Sequence, residues 1–318
     1  MKKNRLSRRD FLKVAAAAGV VLVGGTAQAL DGGKNIAAAK FPSPEAYIPF
    51  VKNNPPPTST PFPTTAPTTP PGGITPGPVG DIKNIVFLHR SVGEGMILGG
   101  SMRSLLTAKG YQFWDYFVSS QLLRNPSGEN TNIKYNVPEP DNTEPVGLAA
   151  IFSQPHQPNP AYPSNPANAM SGLLRHQVIL FKSCYTAVQY LDSDQDFEDY
   201  KAYSITVRER AKQHPDKIFI HLTPPPTAPS LSYDGNAARG RAFADWMMSS
   251  AYRAGTSNLF VYNLFDPLAV PANGGAQANL LRPEYRESDG NSHPTFNAWP
   301  IILPGLVDFI DQSIRSYS

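Results

Sequence analysis

The 318-residue chain holds a single cysteine, Cys184, so no disulfide can form within it in any compartment. It also offers little for a membrane: the N-terminal apolar run "VAAAAGVVLVGG" falls short of the roughly 20 residues that span a bilayer. A basic excess is missing once the N-terminus is set aside. Residues 1–29 carry six Lys/Arg and one Asp, and their removal takes the formal charge from +3 to −2. Nucleic-acid binding therefore has no compositional support. No H-x-H or H-E-x-x-H spacing occurs among the six histidines. A metal would need residues as scattered as His89, His221, His293 and Asp289, so neither metal nor cofactor is expected.

What the ends contain is more specific. "SRRDFLK" at residues 7–13 precedes the apolar run, and "TAQAL" follows it. A basic region, a short apolar region and an A-x-A site are the parts of a secretory signal. The consecutive Arg8 and Arg9 make it resemble a twin-arginine export signal, which implies passage through the Tat translocase. Cleavage is expected after Ala29, leaving no stable membrane span and a protein in the periplasm, the cell envelope or the medium. Residues 30–80 are dense in Pro and Thr, as in "PPPTSTPFPTTAPTTPPGG". Such a stretch cannot build a core and reads as a disordered, semi-rigid tether. The folded domain is then expected over 81–318, a length ample for one core.

Within it, five apolar runs have strand character: "IVFLH" (85–89), "FWDYFV" (113–118), "QVILF" (177–181), "KIFIHL" (217–222) and "NLFVYNL" (258–264). Continuous apolar runs suit strands buried on both faces of a parallel sheet. Helices are expected at 197–214 and 237–255, from Gly93 to near Gly110, and over about 303–316 after a turn from 294. This alternation predicts a three-layer α/β/α sandwich around a mainly parallel five-stranded sheet. The polar stretch 119–170 has little periodicity and is expected to be a long loop insertion over the rim. The prolines of "HLTPPPTAP" (221–229) are expected to end pairing and turn the chain.

In such sheets, ligands bind beyond the carboxyl ends of the strands. Ser91 in "FLHRSVGEG" sits there, after the first strand. His293 in "ESDGNSHPTFNAW" comes just before the last helix, and the topology can bring the two to one rim. A serine hydroxyl needs an imidazole to take its proton, and the imidazole needs a group at its other nitrogen. Asp289 is the first candidate for that group, with Glu287 or backbone carbonyls as others. Cys184 with His293, and a Ser183–Lys182 pair, are competing nucleophile arrangements. Cys184 also reads as a small buried hydrophobe. His89 is expected beside Ser91 as a substrate contact.

These blocks resemble the SGNH/GDSL hydrolases, which place their serine after the first strand and their histidine in a late D-x-x-H-P setting. The resemblance covers about 82–316 and implies a flavodoxin-like fold. It also implies an exported serine esterase, removing an O-acyl group such as acetyl from a carbohydrate or a small-molecule ester. Two departures stand out. "DGNSHP" has one residue more between Asp289 and His293, and "KSCY" (182–185) replaces the family's G-x-N-D. The family's oxyanion asparagine is thus missing. Ser91 N–H, the Ser183 hydroxyl, a backbone N–H in 182–185 and the Lys182 ammonium remain as oxyanion candidates, and Gly147 and Gly172 are the candidates for the family's glycine block. A non-catalytic envelope or carbohydrate-binding module on the same fold is the alternative.

Overall fold

The computed structural model describes residues 82–140, 142–157, 168–233 and 235–317. The expected signal (1–29) and tether (30–80) lie outside the described residues. Six strands form one sheet: β1 (Asn84–His89), β2 (Gln112–Phe117), β3 (Leu122–Arg124), β4 (Val178–Lys182), β5 (Ile218–Leu222) and β6 (Leu259–Tyr262). Their order is β3-β2-β1-β4-β5-β6, with β3 alone antiparallel. The five parallel strands therefore run in the flavodoxin order, with a switch point between β1 and β4. The expected five strands are all present. The sixth, β3, was missed because three residues show no periodicity.

Alternation along the strands divides the core in two. Ile85, Phe87, Val178, Leu180, Ile218 and Ile220 face one layer. It contains α1 (Val92–Leu98), α2 (Met102–Ala108) and α10 (Trp299–Tyr317). Val86, Leu88, Ile179, Phe181 and Phe219 face the other. That layer contains α3 (Pro145–Ser153), α4 (Ala169–Leu173), α6 (Asp194–Lys212) and α7 (Asn236–Met248). Short helices α5 (Thr186–Gln189), α8 (Ser250–Arg253) and α9 (Phe265–Leu268) complete the chain. Among the described residues, no helix is long and apolar enough to cross a membrane.

Three local expectations are corrected. The helix expected from Gly93 to Gly110 is two helices, broken at Gly99–Ser101, where Ser101 adopts φ 56°. A Cβ on Gly99 would strike the Phe296 ring, and one on Gly100 would strike Leu303 and Trp299. The break lets α10 and the turn before it press on this corner. The helix expected at 237–255 breaks at Ser249, whose ψ of 162° is extended. Finally, the described residues of the expected insertion, 119–140, 142–157 and 168–170, are in large part built into the fold. They supply β3, α3 and the start of α4, and Leu123, Ile133, Tyr135, Leu148, Ile151 and Phe152 are core residues. The polar composition of the stretch hid them because their spacing follows neither period for long.

Candidate active site

At the switch point the chains leaving β1 and β4 run from adjacent parallel strands. Ser91 lies two residues beyond β1, inside the exit turn that closes with Gly93 N–H donating to Arg90 O at 2.8 Å. Its backbone is strained, at φ 40° and ψ −89°. Strain of this kind, on the order of 1–3 kcal/mol, persists only where the surroundings enforce it. Gly93 allows the turn to sit on the His89 ring, which a Cβ would strike. The turn lifts the half-buried Ser91 hydroxyl off the strand end, where it donates to His293 Nε2 across 202 positions of sequence.

His293 is held on its other side by Asn291. Asn291 Oδ1 accepts from the His293 backbone N–H at 2.9 Å and from ring Nδ1–H at 3.0 Å. This bond fixes the tautomer with a lone pair on Nε2, facing the serine. Asn291 Nδ2 in turn donates to Glu287 Oε2 at 3.2 Å. The relay is therefore serine, histidine, asparagine, with a carboxylate one step further out. Asp289 does not take the position expected of it. Its carboxylate is 69% exposed and paired with Arg286 at 3.1 Å, while its carbonyl accepts from Ser230. Asn291, two residues before His293, holds the ring nitrogen instead. The loop is fixed from below by Ser292, whose buried Oγ accepts from Ala228 N–H at 2.7 Å. The "HLTPPPTAP" segment thus acts by positioning the histidine loop.

His89 is not at the substrate face either. It is fully buried, stacked between Phe87 and Phe117 at 4.9 and 5.3 Å, with Nε2–H donating to Asp115 at 3.0 Å. Arg103 and Arg124 also bind Asp115, and Arg124 spans to Glu94 on α1 with bonds of 2.9 and 2.5 Å. Burial pushes the Asp115 carboxyl up, but the His89 bond and the two guanidiniums outweigh it and hold the group below its usual range. His89, Glu94 and Asp115 lie close enough to share a metal ion. Their carboxylates are, however, committed to two guanidiniums, which supply the positive charge an ion would bring. The other metal set does not assemble: His221 is bonded to Tyr252 Oη at 2.8 Å and Asp289 to Arg286. Sequence reasoning missed this network entirely, since Glu94, Arg103, Asp115 and Arg124 share no motif.

Beyond β4, Lys182 is wholly buried and Ser183 and Cys184 nearly so. Lys182 Nζ donates to Ser183 O at 3.0 Å. Burial pushes the Lys182 ammonium down to about 8, a shift Arg90 reinforces and Cys184 opposes. Burial, and then the Lys182 charge, lower the His293 imidazole to about 4. His293 is thus a neutral base at neutral pH. The Tyr185 ring meets it edge-on at 5.0 Å. Cys184 packs in the apolar core beneath α1 and α10, while the imidazole is engaged by Ser91. Gly147 lies within α3, where a Cβ would strike Asn142, so close packing accounts for the glycine. Gly172 is likewise pressed against the Tyr135 ring.

Fold and site together define an α/β protein of flavodoxin strand order with a serine–histidine pair at its switch point. The sequence matches no protein-family model and no curated protein. Among solved structures it is similar to a crystal structure from Bacteroides fragilis described as that of a putative acylhydrolase. That similarity has a TM-score of 0.44 at 15% identity, over 76% of this chain and 91% of that one.

Proposed function

We propose that this protein is a serine hydrolase of ester bonds, exported through the Tat translocase, that removes an O-acyl group from a carbohydrate or related ester. One observation carries the catalytic part: Ser91 Oγ–H donates to an imidazole whose far nitrogen is held by Asn291. In the first half-reaction, Oγ bonds to the ester carbonyl carbon and its proton passes to His293 Nε2. The carbonyl π pair moves onto oxygen. The tetrahedral intermediate then collapses, breaking the bond to the leaving oxygen, which takes the proton from His293. Water, deprotonated by the same nitrogen, then adds to the acyl carbon, and collapse breaks the bond to Ser91 Oγ, which takes the proton back from His293. Ser91 N–H is the backbone donor best placed at the oxyanion, because it belongs to the residue that attacks. The carbohydrate preference rests on the resemblance to exported SGNH esterases, and the export on "SRRDFLK" and the segment behind it.

The test is to treat the purified protein with a fluorescent fluorophosphonate and, separately, with p-nitrophenyl acetate and an acetylated oligosaccharide. Labelling and acetate release that vanish in Ser91→Ala are expected. Activity that survives Ser91→Ala and vanishes in Cys184→Ala would overturn the assignment of nucleophile. A complete lack of labelling and turnover would favour a binding module.

A further inference from the structure

Lys182 has no structural reason to be a lysine. Alternation along β4 turns it to the same side of the sheet as Val178 and Leu180, which lie in the apolar layer under α1 and α10. It is 0% exposed there, and its partner across the β4–β5 ladder, Leu222, is apolar. An ammonium offers three donors. Its hydrogen bond goes to the neighbouring Ser183 carbonyl, and among the described residues no carboxylate pairs with it. The acidic groups of α1, β2 and the histidine loop are committed elsewhere: Glu94 and Asp115 to arginines, Asp289 to Arg286. The titratable groups that act on it are Arg90 from the end of β1, Cys184 beyond β4 and His293 before α10. His89 on β1 is turned to Asp115. A buried cation with no counter-ion is costly unless an anion arrives.

We infer that Lys182 is the second donor of the oxyanion site, its ammonium meeting the negative charge that forms on the substrate carbonyl oxygen when Ser91 attacks. This rests on the hydrolase reading above. The ammonium takes the part of the missing asparagine with a full charge at a buried position, where preorganised charge is most effective. It also couples to the base. In the free protein the Lys182 charge opposes protonation of His293. When the oxyanion forms, it offsets that charge at the moment the imidazole takes up the serine proton. The base therefore becomes stronger in the transition state than in the ground state, which is the differential effect catalysis requires.

The experiment compares the wild type, Lys182→Met and Lys182→Asn in p-nitrophenyl acetate hydrolysis from pH 5 to 9.5, with fluorophosphonate labelling alongside. Lys182→Met is expected to lower kcat by about 10²–10³ with little change in KM. Wild-type kcat should fall above about pH 8, as the ammonium loses its proton. Lys182→Asn, a neutral donor, should recover part of the lost kcat and abolish that alkaline fall. It also serves as the informative variant if Lys182→Met does not fold. An active wild type with Lys182→Met within about three-fold of it, or an alkaline limb that persists in Lys182→Asn, overturns the role of Lys182 alone. A wild type that neither turns over nor labels overturns it together with the hydrolase reading.

Discussion

At the scale of single residues, the histidine is tuned by what lies behind it and beside it. Asn291→Ala removes the acceptor at Nδ1, so the imidazole loses its fixed tautomer. A fall in kcat of about 10-fold or more is expected, within the range general-base catalysis supplies. Asp289→Ala, which only frees Arg286, should leave kcat within about two-fold, and steady-state kinetics on the two variants decides between them. Ser91→Ala and His293→Ala should each lower kcat about as far as the double variant, because they act as one unit. The acid limb of kcat/KM should lie near pH 4 in place of the usual 6.5, since His293 must be neutral to accept a proton. A limb at pH 6–7 would show that the burial and charge described here do not act on it.

Between elements, the network centred on Asp115 joins β1, β2, β3 and α1, and α1 begins at the serine turn. Arg124→Ala would leave Glu94 and buried Asp115 without their shared cation. Asp115 keeps Arg103 and His89, so the cost is that of losing charged hydrogen bonds, about 1.5–3 kcal/mol. A lower Tm and a lower kcat are both expected, because the α1 N-terminus would lose its tie to β3; denaturation and kinetics on one preparation test this. The break between α1 and α2 makes a different prediction. Gly100→Ala puts a methyl where Leu303 and Trp299 already stand, and overpacking of this kind costs about 1–3 kcal/mol. Urea midpoints should show the loss. Elsewhere local signals suffice: α6 starts at a capping box in which Ser193 Oγ accepts from Asp196 N–H, and Asp196 accepts from Ser193 N–H.

For the whole molecule, buried histidines set the response to acid. Burial lowers His176 and His221 to about 3 and His293 to about 4. An unfolded chain would protonate all three near 6.5, so below that pH the unfolded state binds more protons than the folded one. Stability should therefore be full above about pH 6.5 and decline steadily as pH falls toward 3. Lys182 acts at the other end: its lowered folded-state value means stability increases as pH rises from about 8 toward 10.5. Thermal denaturation across pH 3–10 reads both limbs, and a flat profile between 6.5 and 4 would contradict the first.

The five parallel strands were legible from sequence because strands largely buried on both faces are mostly apolar, and a short apolar run needs little context to be recognised. "VILFK" and "IFIHL" are fully buried, Lys182 and His221 included. Ser91 and His293 were legible for a related reason: a strand-end turn and a pre-helix turn must lie at the same rim once the sheet is parallel. Asp115, Arg124 and Asn291 were not. Their roles come from contacts between segments with no periodic relation, and a polar residue does not announce in sequence whether its partner is water, a guanidinium or an imidazole. The sequence by itself determined the layers and the rim. Only the tertiary structure decided which side chain stands behind the histidine and that Lys182 is buried with no carboxylate partner among the described residues, because hydrogen bonds and charge pairs are chosen by distance in space.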